Sequence, residues 1–591
     1  MKNFYIGTPA RFARWKSSIQ EIGPINFRFN NSYNFSGVNQ EQFNLVSVSS
    51  SDLVSDKLIK YLVNWRIQNQ FAYPSRSEIT EEGTRHWLLH SVLNNPSKVL
   101  FWIVDNSMDF LGHIGLTINE SDGLFELDNV LRGTNGVYPG LMSSALHKIE
   151  EIIESEFSAE ILTLRVLKSN SHAVNFYQNN GYRIESYVDL EWQGPKEDRR
   201  LVPGSRQDDV FLTMVKNIID SKIEISIPVL TAGPSISPLE VSLVGDAVEN
   251  GWNSSHSNYL NRFENEFADF VGAKYAMATS SCTGALHLSL LALGIGPGDE
   301  VIVPGITWVA TASAVMYVGA KPIFVDIDET TWTINVEDFE QKITSATKAV
   351  IPVHLYGYAA NMPAILKIAK SAGIFVVEDA APAIGTRIGE KSAGTFGDFG
   401  CYSFQGAKLL VTGEGGMLVT DNEDLFKRAK KIQDHGRKPG TFWIEEIGYK
   451  YKMNNLTAAL GLGQIRRAEN QIYRKQRINN WYRTFLSDIE GIKFQEAAKG
   501  TTSICWMTSF VLSNKFDISR DDLISELKSR GIDSRPVFPY IGKYKIWNYE
   551  TGSLRNSEFI GDSGINLPSG VNLNRKTVEF VAENVRNILT K

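Results

Sequence analysis

The sequence predicts an α/β protein in two parts: an N-terminal α/β domain, then a large α/β/α domain with a parallel sheet and a smaller C-terminal α/β domain. Between about Ser97 and Val215, strand-like segments come first and alternate with helices only later, whereas the order strand–helix–strand repeats beyond residue 229. Such repetition is typical of a parallel sheet covered by helices on both faces. With 591 residues, 43% of them hydrophobic, the chain can form several cores.

In the first half, three segments with β-branched and aromatic residues between polar turns are predicted strands: KVLFWIVDN, LGHIGLTIN and LFELDNVLR. The stretch PGLMSSALHKIEEIIESEF is a predicted amphipathic helix, because its apolar residues recur at helical spacing opposite a charged face. AEILTLRVLKSN follows as a strand, and SHAVNFYQNNG as a short helix that ends at Gly181.

In the second half, the predicted strands are EVIVPGI, KPIFVDID, KAVIPVHLYG and IFVVEDA, with helices ATASAVMYVG and NMPAILKIAKSAG between them. One long helix is predicted over NNLTAALGLGQIRRAENQIYRKQRINNWYRTFL, at the start of the smaller packed domain. These patterns divide the chain into an unassigned extension, a first domain, a linker, a large domain and a small domain, which span residues 1–44, 45–216, 217–228, 229–454 and 455–591.

Composition argues against several kinds of partner and compartment. The formal net charge is −6 and basic residues do not cluster, so neither nucleic acid nor an anionic membrane is expected as the main partner. The three cysteines have no paired or ligand-like spacing, which indicates a reducing cytoplasm and no metal site. The N-terminus lacks the apolar core of a secretory signal. The uncharged stretch 301–320 is interrupted by Pro304 and Gly305, so it predicts a strand, a turn and a helix, not a membrane span.

Four features of the second half indicate chemistry. Lys408 lies among small, apolar and glycine residues in SFQGAKLLVTGEGG, where an ammonium group needs a partner. Glu378 and Asp379 end a predicted buried strand, where a carboxylate also needs a partner. ATSSCTGALHLSLLALG places small residues and hydroxyls at a helix start, which suits either a phosphate or ordinary capping. Trp308 follows a strand end, where its ring suits either a planar ligand or the core.

Together and in this order, these residues resemble the DegT/DnrJ/EryC1/StrS sugar aminotransferases, which are pyridoxal-phosphate enzymes of fold type I. The resemblance runs from about residue 223 to 591. It rests on five blocks: SSCTGALHLSLLALGIGPGDEVIVPGITWVATASAV, PVHLYG, VVEDAAPAIG, SFQGAKLLVTGEGGMLVTD and YKMNNLTAALGLGQI.

The resemblance implies a role for each motif residue. Lys408 is the lysine that the family links to pyridoxal 5′-phosphate, a chemistry that needs a neutral amine. Asp379 pairs with the pyridinium nitrogen, so that the ring can accept electrons. Trp308 stacks on the ring, and the cofactor phosphate is held by the remaining motif residues, Ser403, Thr283 and Gly284.

The implied reaction transfers an amino group from a donor, usually L-glutamate, which leaves as 2-oxoglutarate, to a keto group of a nucleotide-linked sugar. The family builds its active site across a homodimer interface. A related branch that dehydrates sugars carries histidine in place of Lys408, so the lysine favours transamination.

Some positions depart from the family pattern. Cys282 stands where the phosphate turn usually has glycine, and Pro382 where many members place a residue near the cofactor's ring oxygen. Lys450 replaces an asparagine that many members send to the phosphate of the neighbouring subunit, a contact that lysine can make as a point charge. Arg535, in DSRPVFPY, matches a stretch near the family's active site, although a surface salt bridge explains it nearly as well.

In the first half, LKSNSHAVNFYQNNGYRIE resembles the closing motif of the GNAT acetyltransferases, and the resemblance covers about residues 45–216. It implies that Tyr177 protonates the departing thiolate of acetyl-CoA or another acyl-CoA and that Asn170 helps hold the pantetheine arm. The segment LDNVLRGTNGVYPGLM lies where the family wraps the pyrophosphate, although its glycine spacing departs from the family pattern. It supplies three candidate residues for coenzyme A: Arg132, Gly136 and Gly140.

A general base must also accept the proton of the incoming amine. Glu126 and Asp128 alternate on the strand beside this loop and are the candidates, although solvation alone also explains either of them.

The two halves together predict a bifunctional enzyme of amino-sugar biosynthesis in a bacterial cytoplasm, which makes an amino sugar for polysaccharide such as O-antigen, or for a glycosylated metabolite, and then acylates it. Three alternatives stay open. In the first, the N-terminal domain is a non-catalytic docking domain. In the second, the whole chain is a catalytically silent sensor or scaffold that keeps the cofactor fold. In the third, the amino acceptor is not a sugar.

Overall fold

The computed structural model describes residues 12–13, 16, 33–36, 41–70, 73, 75–76, 78–107, 109–119, 124–133, 138–157, 159, 161–194, 199–204, 209–218, 227–547 and 549–590. The chain divides into two compact units. The first comprises Met1–Ile223 with Ser237–Ser242, and the second Glu224–Ile236 with Leu243–Lys591.

Within its described residues, the N-terminal part of the chain forms one ten-stranded sheet and four α-helices. The helices are α1 (Asp56–Gln68), α2 (Glu81–Trp87), α3 (Leu141–Phe157) and α4 (Ser171–Asn179). The strands are β1 (Tyr33–Ser36), β2 (Gln42–Ser47), β3 (Ser75–Arg76), β4 (Lys98–Asp105), β5 (Phe110–Ile118), β6 (Phe125–Arg132), β7 (Ile161–Leu167), β8 (Arg183–Gln193), β9 (Arg199–Pro203) and β10 (Asp209–Asn217). Their order is β1-β2-β4-β5-β6-β7-β10-β8-β9-β3.

The predicted strands and helices between Lys98 and Asn179 are present as β4 to β7, α3 and α4. Strands β6 and β7 pair in parallel, whereas their outer neighbours β5 and β10 are antiparallel to them. The parallel ladder extends from Phe125 opposite Leu162 to Leu127 opposite Leu164, although both strands continue further. The two strands therefore separate towards their carboxyl ends.

The described part of residues 1–44, which the sequence left as an unassigned extension, belongs to the first unit. Strand β2 crosses the predicted boundary and pairs with β1 on one side and β4 on the other. Phe12 is fully buried, with its ring 5.9 Å from that of Phe125 and 5.8 Å from that of Phe157. Contacts over such sequence distances leave no local pattern, so the sequence alone does not predict them.

The helices of the C-terminal part are α5 (Pro238–Asn250), α6 (Asn258–Val271), α7 (Cys282–Ala292), α8 (Ala310–Tyr317), α9 (Val336–Gln341), α10 (Met362–Ala372), α11 (Glu423–Gln433), α12 (Asn455–Arg466), α13 (Ala468–Leu486), α14 (Arg520–Ser529), α15 (Arg555–Ser563) and α16 (Arg575–Leu589). The strands are β11 (Tyr275–Thr279), β12 (Glu300–Pro304), β13 (Lys321–Val325), β14 (Thr347–Val350), β15 (Phe375–Asp379), β16 (Arg387–Ile388), β17 (Lys391–Ser392), β18 (Phe399–Ser403), β19 (Gly416–Thr420), β20 (Ile492–Phe494), β21 (Thr501–Thr502), β22 (Thr508–Leu512), β23 (Arg535–Pro536) and β24 (Gly564–Leu567).

Across the described residues of the second unit, the main sheet has seven strands in the order β11-β19-β18-β15-β14-β12-β13. Strands β13, β12, β14, β15 and β18 are parallel, as the strand–helix rhythm predicted, and β19 is antiparallel to both of its neighbours. A second sheet, β20-β22-β24-β23, lies in the C-terminal segment. The carboxyl ends of β15 and β18 meet at one edge of the main sheet, and ligands bind at such edges in α/β proteins.

The helix predicted from Asn454 onwards is two helices in the structure. Helix α12 ends and α13 begins on either side of Arg467, whose backbone φ of −105° and ψ of 5° depart from helical values. The side chains of Gln464 and Arg467 both donate hydrogen bonds to Ser235, and these long-range contacts accompany the break. The three residues on either side of Arg467 include neither glycine nor proline, and the nearest glycine, Gly463, lies inside α12, so the sequence does not mark the break.

No helix in the described ranges is both long and apolar enough to cross a membrane. The uncharged stretch 301–320 forms most of β12, a turn and α8.

Strand β19 begins directly against the start of α7, and Gly416 permits this approach. A Cβ atom at Gly416 would lie 2.5 Å from the amide nitrogen of Cys282. We expect Gly416→Ala to lower the free energy of unfolding by about 1–3 kcal/mol, because backbone atoms must move apart. Urea denaturation measures this.

Gly296→Ala is the matched control, since its Cβ would meet nothing nearer than the carbonyl oxygen of Val318 at 3.8 Å. We expect its effect to stay within about 0.5 kcal/mol. Equal urea midpoints for the two variants would contradict the packing of β19 against α7.

Candidate active site

A cavity of about 640 Å³ lies in the second unit, where β15 and β18 end. Its lining includes six of the residues that the sequence connected with a cofactor: Cys282, Thr283, Trp308, Asp379, Ser403 and Lys408. Arg535 also lines it. Residues far apart in the chain are therefore brought to one place.

Lys408 lies in the loop that joins β18 to β19, and its backbone N–H donates to the carbonyl oxygen of Gln405 at 2.8 Å. Burial lowers the pKa of its side chain from 10.5 to about 8, while the negative charge of Asp379 opposes the shift. The side chain is therefore mostly ammonium at pH 7 and becomes mostly the nucleophilic amine above about pH 8. An exposed lysine, with a pKa near 10.5, loses its proton only at a much higher pH.

Asp379 is the last residue of β15 and is 5% exposed. Its Oδ2 accepts a hydrogen bond from the hydroxyl of Thr311 at 2.7 Å, and its Oδ1 accepts one from the backbone N–H of Ala381 at 3.1 Å. Burial raises the pKa of this carboxyl, and the two hydrogen bonds and the charge of Lys408 oppose the shift. A cation placed against Asp379 would favour its charged form, so the site fits a protonated ring nitrogen.

Glu378, the other acid at this strand end, has a structural role, because successive strand residues point to opposite faces. Its carboxylate accepts hydrogen bonds from backbone N–H groups of the segment 394–397 and from Nε2 of His354 at 3.0 Å. Nδ1 of His354 accepts from the N–H of Ala360, so this nitrogen carries no proton and the neutral ring donates from Nε2. Both side chains are fully buried.

The start of α7 faces the cavity through Cys282 and Thr283. The first N–H groups of a helix lack partners within the helix and suit an anion. The hydroxyl of Ser403 also lines the cavity, so the donors fit a phosphate group. Gly284 is not part of the cavity lining, and its N–H donates to Oγ of Ser281 at 3.0 Å, which caps the helix.

Trp308 is 59% exposed on the cavity wall, with its ring 5.7 Å from that of Phe538. It therefore lies at the cavity and not in the core, the two positions that the sequence left open. Cys282 is buried, and burial raises the pKa of its thiol, so it remains neutral beside Lys408.

Lys450 and Pro382, two positions that depart from the family pattern, lie outside the cavity of their own chain. Lys450 is not part of the cavity lining of its own chain; its Nζ is 3.8 Å from Oδ1 of Asp434. Pro382 is also outside the lining. Arg535 lies at the cavity with its side chain 69% exposed, and its Nη2 is 3.4 Å from Oδ2 of Asp533.

Four further residues at the cavity were missed: Thr311, Tyr356, Trp506 and Phe538. Thr311 follows Trp308 by three residues near the start of α8, and this spacing is the one local signal that could have indicated it. Phe538 lies in DSRPVFPY, the stretch from which only Arg535 was predicted, whereas Trp506, almost 100 residues beyond Lys408, lies in none of the motifs.

In the first unit, Tyr177 is 8% exposed and burial raises the pKa of its hydroxyl. Oδ1 of Asn170 accepts from the N–H of Ala173 at 3.2 Å and thereby caps α4. Arg132 donates to the carbonyl oxygen of Tyr138 at 3.1 Å, and Gly140 has a φ of 76° just before α3. Gly136 lies outside the described residues.

The two candidate bases of the first unit are ion-paired. Oε1 of Glu126 is 2.8 Å from Nε of Arg165, and Asp128 pairs with Lys98. Across the parts of both units that the structure describes, no cluster of three or more His, Cys, Asp and Glu side chains could hold a metal ion.

The hydrogen bond from Thr311 favours the charged form of Asp379, so we expect Thr311→Val to raise the pKa of Asp379 further and to weaken the binding of pyridoxal phosphate about tenfold. Equilibrium titration of cofactor-free protein with pyridoxal phosphate, followed by absorbance, measures this. Thr311→Ser keeps the hydroxyl and should bind as the wild type does. Equal dissociation constants for the two variants would refute this role of Thr311.

The model of the DegT/DnrJ/EryC1/StrS aminotransferase family matches residues 234–586. GDP-perosamine synthase of Escherichia coli O157:H7 is 39% identical over 353 residues, which are 60% of this chain and 96% of that protein. GDP-perosamine synthase of Caulobacter vibrioides is 36% identical over 361 residues, 61% of this chain and 97% of that protein.

Among solved structures, that of the aminotransferase TlmJ from Streptoalloteichus hindustanus matches with a TM-score of 0.59 and 30% identity, over 61% of this chain and 99% of that chain. The family match begins at residue 234, so residues 1–233 lie outside it. These matches agree with the cavity that contains Asp379 and Lys408, and the chain belongs to the DegT/DnrJ/EryC1/StrS aminotransferase family.

Proposed function

We propose that the second unit is a pyridoxal-phosphate-dependent aminotransferase that converts a keto group of a nucleotide-linked sugar into an amine, with L-glutamate as the amino donor. The main support is the cavity that holds Lys408, Asp379 and the start of α7 together. Two relatives are named GDP-perosamine synthase, which favours a GDP-linked sugar as the acceptor. We propose that this reaction takes place in a homodimer in the bacterial cytoplasm.

Pyridoxal phosphate, when bound, supplies an aldehyde for the amine and a ring that accepts electrons from the carbon beside the transferred nitrogen. Asp379 would hold a negative charge against the ring nitrogen, while the start of α7 and Ser403 would bind the phosphate. Trp308 would lie against the ring and exclude water. Lys408 would supply the free amine that holds the cofactor and the group that moves a proton between carbon atoms. Arg535, at the exposed side of the cavity, binds an anionic group of a substrate.

The position of Lys450 outside the cavity of its own chain is compatible with an active site that two subunits share, as in the family. Its side chain is 59% exposed, so its positive charge is available for an ionic contact with the cofactor phosphate of another subunit. We propose this contact for Lys450 in the homodimer.

For the first unit, we propose transfer of an acyl group from acyl-CoA to the new amine. The divergence of β6 from β7, followed by the loop before α3, supports a cleft for an extended thioester arm, with Arg132 and Gly140 near its pyrophosphate. Tyr177 has a raised pKa and therefore keeps its proton, which it can give to the departing thiolate. Asp128 is the better candidate base, because its side chain is 36% exposed against 26% for Glu126.

The amination is tested with purified protein, L-glutamate and GDP-linked keto sugars, with mass detection of the product. We expect the sugar to exchange its keto oxygen for an amino group, and Lys408→Ala to lose this activity and the absorbance of lysine-bound cofactor. UDP-linked keto sugars provide the comparison for the nucleotide. Product formation by Lys408→Ala would refute its role, and turnover of non-sugar ketones alone would refute the sugar acceptor.

The acyl transfer is tested separately, with a pre-formed nucleotide-linked amino sugar and acetyl-CoA. We expect Tyr177→Phe to slow acylation by about 10²–10⁴-fold, the usual contribution of a general acid, while the amination rate stays unchanged. Free thiol release measures the step. Absence of acylation by the wild-type protein with acetyl-, propionyl- and butyryl-CoA would favour a docking role for the first unit.

A further inference from the structure

Trp506 is held rigidly beside the catalytic lysine by three hydrogen bonds. Its backbone N–H donates to the carbonyl oxygen of Tyr356 at 2.9 Å, and its carbonyl oxygen accepts from Nζ of Lys475 at 2.8 Å. Its indole Nε1 donates to the carbonyl oxygen of Ala407 at 2.9 Å. Trp506 is also buried, with only 5% of its surface exposed. The plane of the ring is therefore fixed relative to the loop that carries Lys408.

The ring face of Trp506 is turned towards Lys408. Nζ of Lys408 lies 3.8 Å from the centre of the ring, which is the range of a strong cation–π contact. Within the described residues, Nζ makes no hydrogen bond or ion pair, and Asp379 acts on it only through its field. Since burial disfavours an ammonium ion, the indole face is the group in contact that compensates for the lost water.

We propose that Trp506 is a positioning residue that holds the ammonium form of Lys408 while the lysine is free from the cofactor. This inference rests on the proposed transamination. In that reaction the lone pair of Nζ takes a proton from the α-carbon of the amino donor, and the electrons of the broken C–H bond stay with the substrate and cofactor. The ammonium ion then remains over the indole face until it returns the proton to the neighbouring carbon.

In the part of the chain that the structure describes, the other ionisable groups at the cavity make no hydrogen bond or ion pair with Nζ of Lys408. Asp379 is engaged by Thr311 and Ala381, and the thiol of Cys282 is neutral. The remaining ionisable residues of the cavity wall are Tyr356, Glu414, Asp533 and Arg535. Lys475 lies behind Trp506, bonded to its carbonyl oxygen and to that of Ser569.

The test measures the apparent pKa of Lys408 in the full-length, cofactor-free protein. Trace acetylation with acetic anhydride between pH 6 and 11, followed by peptide mass spectrometry, gives the fraction of free amine at each pH, with Lys370 as an internal reference. We expect a midpoint of about 8 in the wild type. In Trp506→Leu we expect it about one pKa unit lower, a tenfold loss in proton affinity. Trp506→Phe keeps a ring face without the indole donor and should lie between the two.

The direction of the shift separates this role from simple packing. If Trp506 only fills space, its removal admits water and the pKa of Lys408 rises towards 10.5. A rise, or no change, in folded Trp506→Leu would therefore overturn the proposal. Should this variant not fold, the same comparison rests on Trp506→Phe, for which an unchanged midpoint is the contrary result.

Trp308→Leu is the matched control, because it removes another tryptophan of the same cavity that makes no recorded contact with Nζ. Its midpoint should equal that of the wild type; an equal fall in both leucine variants would also overturn the proposal. The measurement needs neither turnover nor a sugar. A lowered midpoint in a protein without aminotransferase activity would thus separate failure of the proposed function from failure of the contact.

Discussion

The arrangement of the second unit depends on keeping two opposite charges, Asp379 and Lys408, away from water without joining them in an ion pair. Each is stabilised by a different neighbour: a hydroxyl and a backbone N–H for the carboxylate, an indole face for the ammonium ion. A direct ion pair would neutralise both groups and leave neither available to a ligand. Their separation within one cavity leaves the carboxylate free to face a ring nitrogen and the amine free to react.

The pair Glu378 and Asp379 illustrates how strand geometry assigns different roles to adjacent acids. Glu378 points away from the cavity and is saturated by backbone N–H groups and His354, which leaves it no reactive role. Asp379 points into the cavity and accepts one bond on each oxygen. The first acid fixes the segment 394–397 that leads into β18, and the second belongs to the site that β18 helps to form.

Much of this site could be predicted because its residues occur in short contiguous motifs. The loop that carries Lys408, the end of β15 and the start of α7 each contain their own signal in the sequence. Trp506 carries no such signal, since its relation to Lys408 comes only from tertiary packing. The same applies to the break at Arg467 and to Phe12, both of which depend on partners more than 100 residues away. In the first unit, strands and helices followed from periodicity, whereas the ion pairs of Glu126 and Asp128 required the register of neighbouring strands.

The hydrogen bonds of Lys475 join parts of the cavity wall that are far apart along the chain. This side chain joins Trp506 to Ser569, and the cavity wall includes residues from Leu230 to Asn566. No short stretch of the sequence can therefore form this cavity by itself. A fragment that keeps the loop of Lys408 but lacks the segment around Ser569 retains the reactive amine and loses the wall that encloses it.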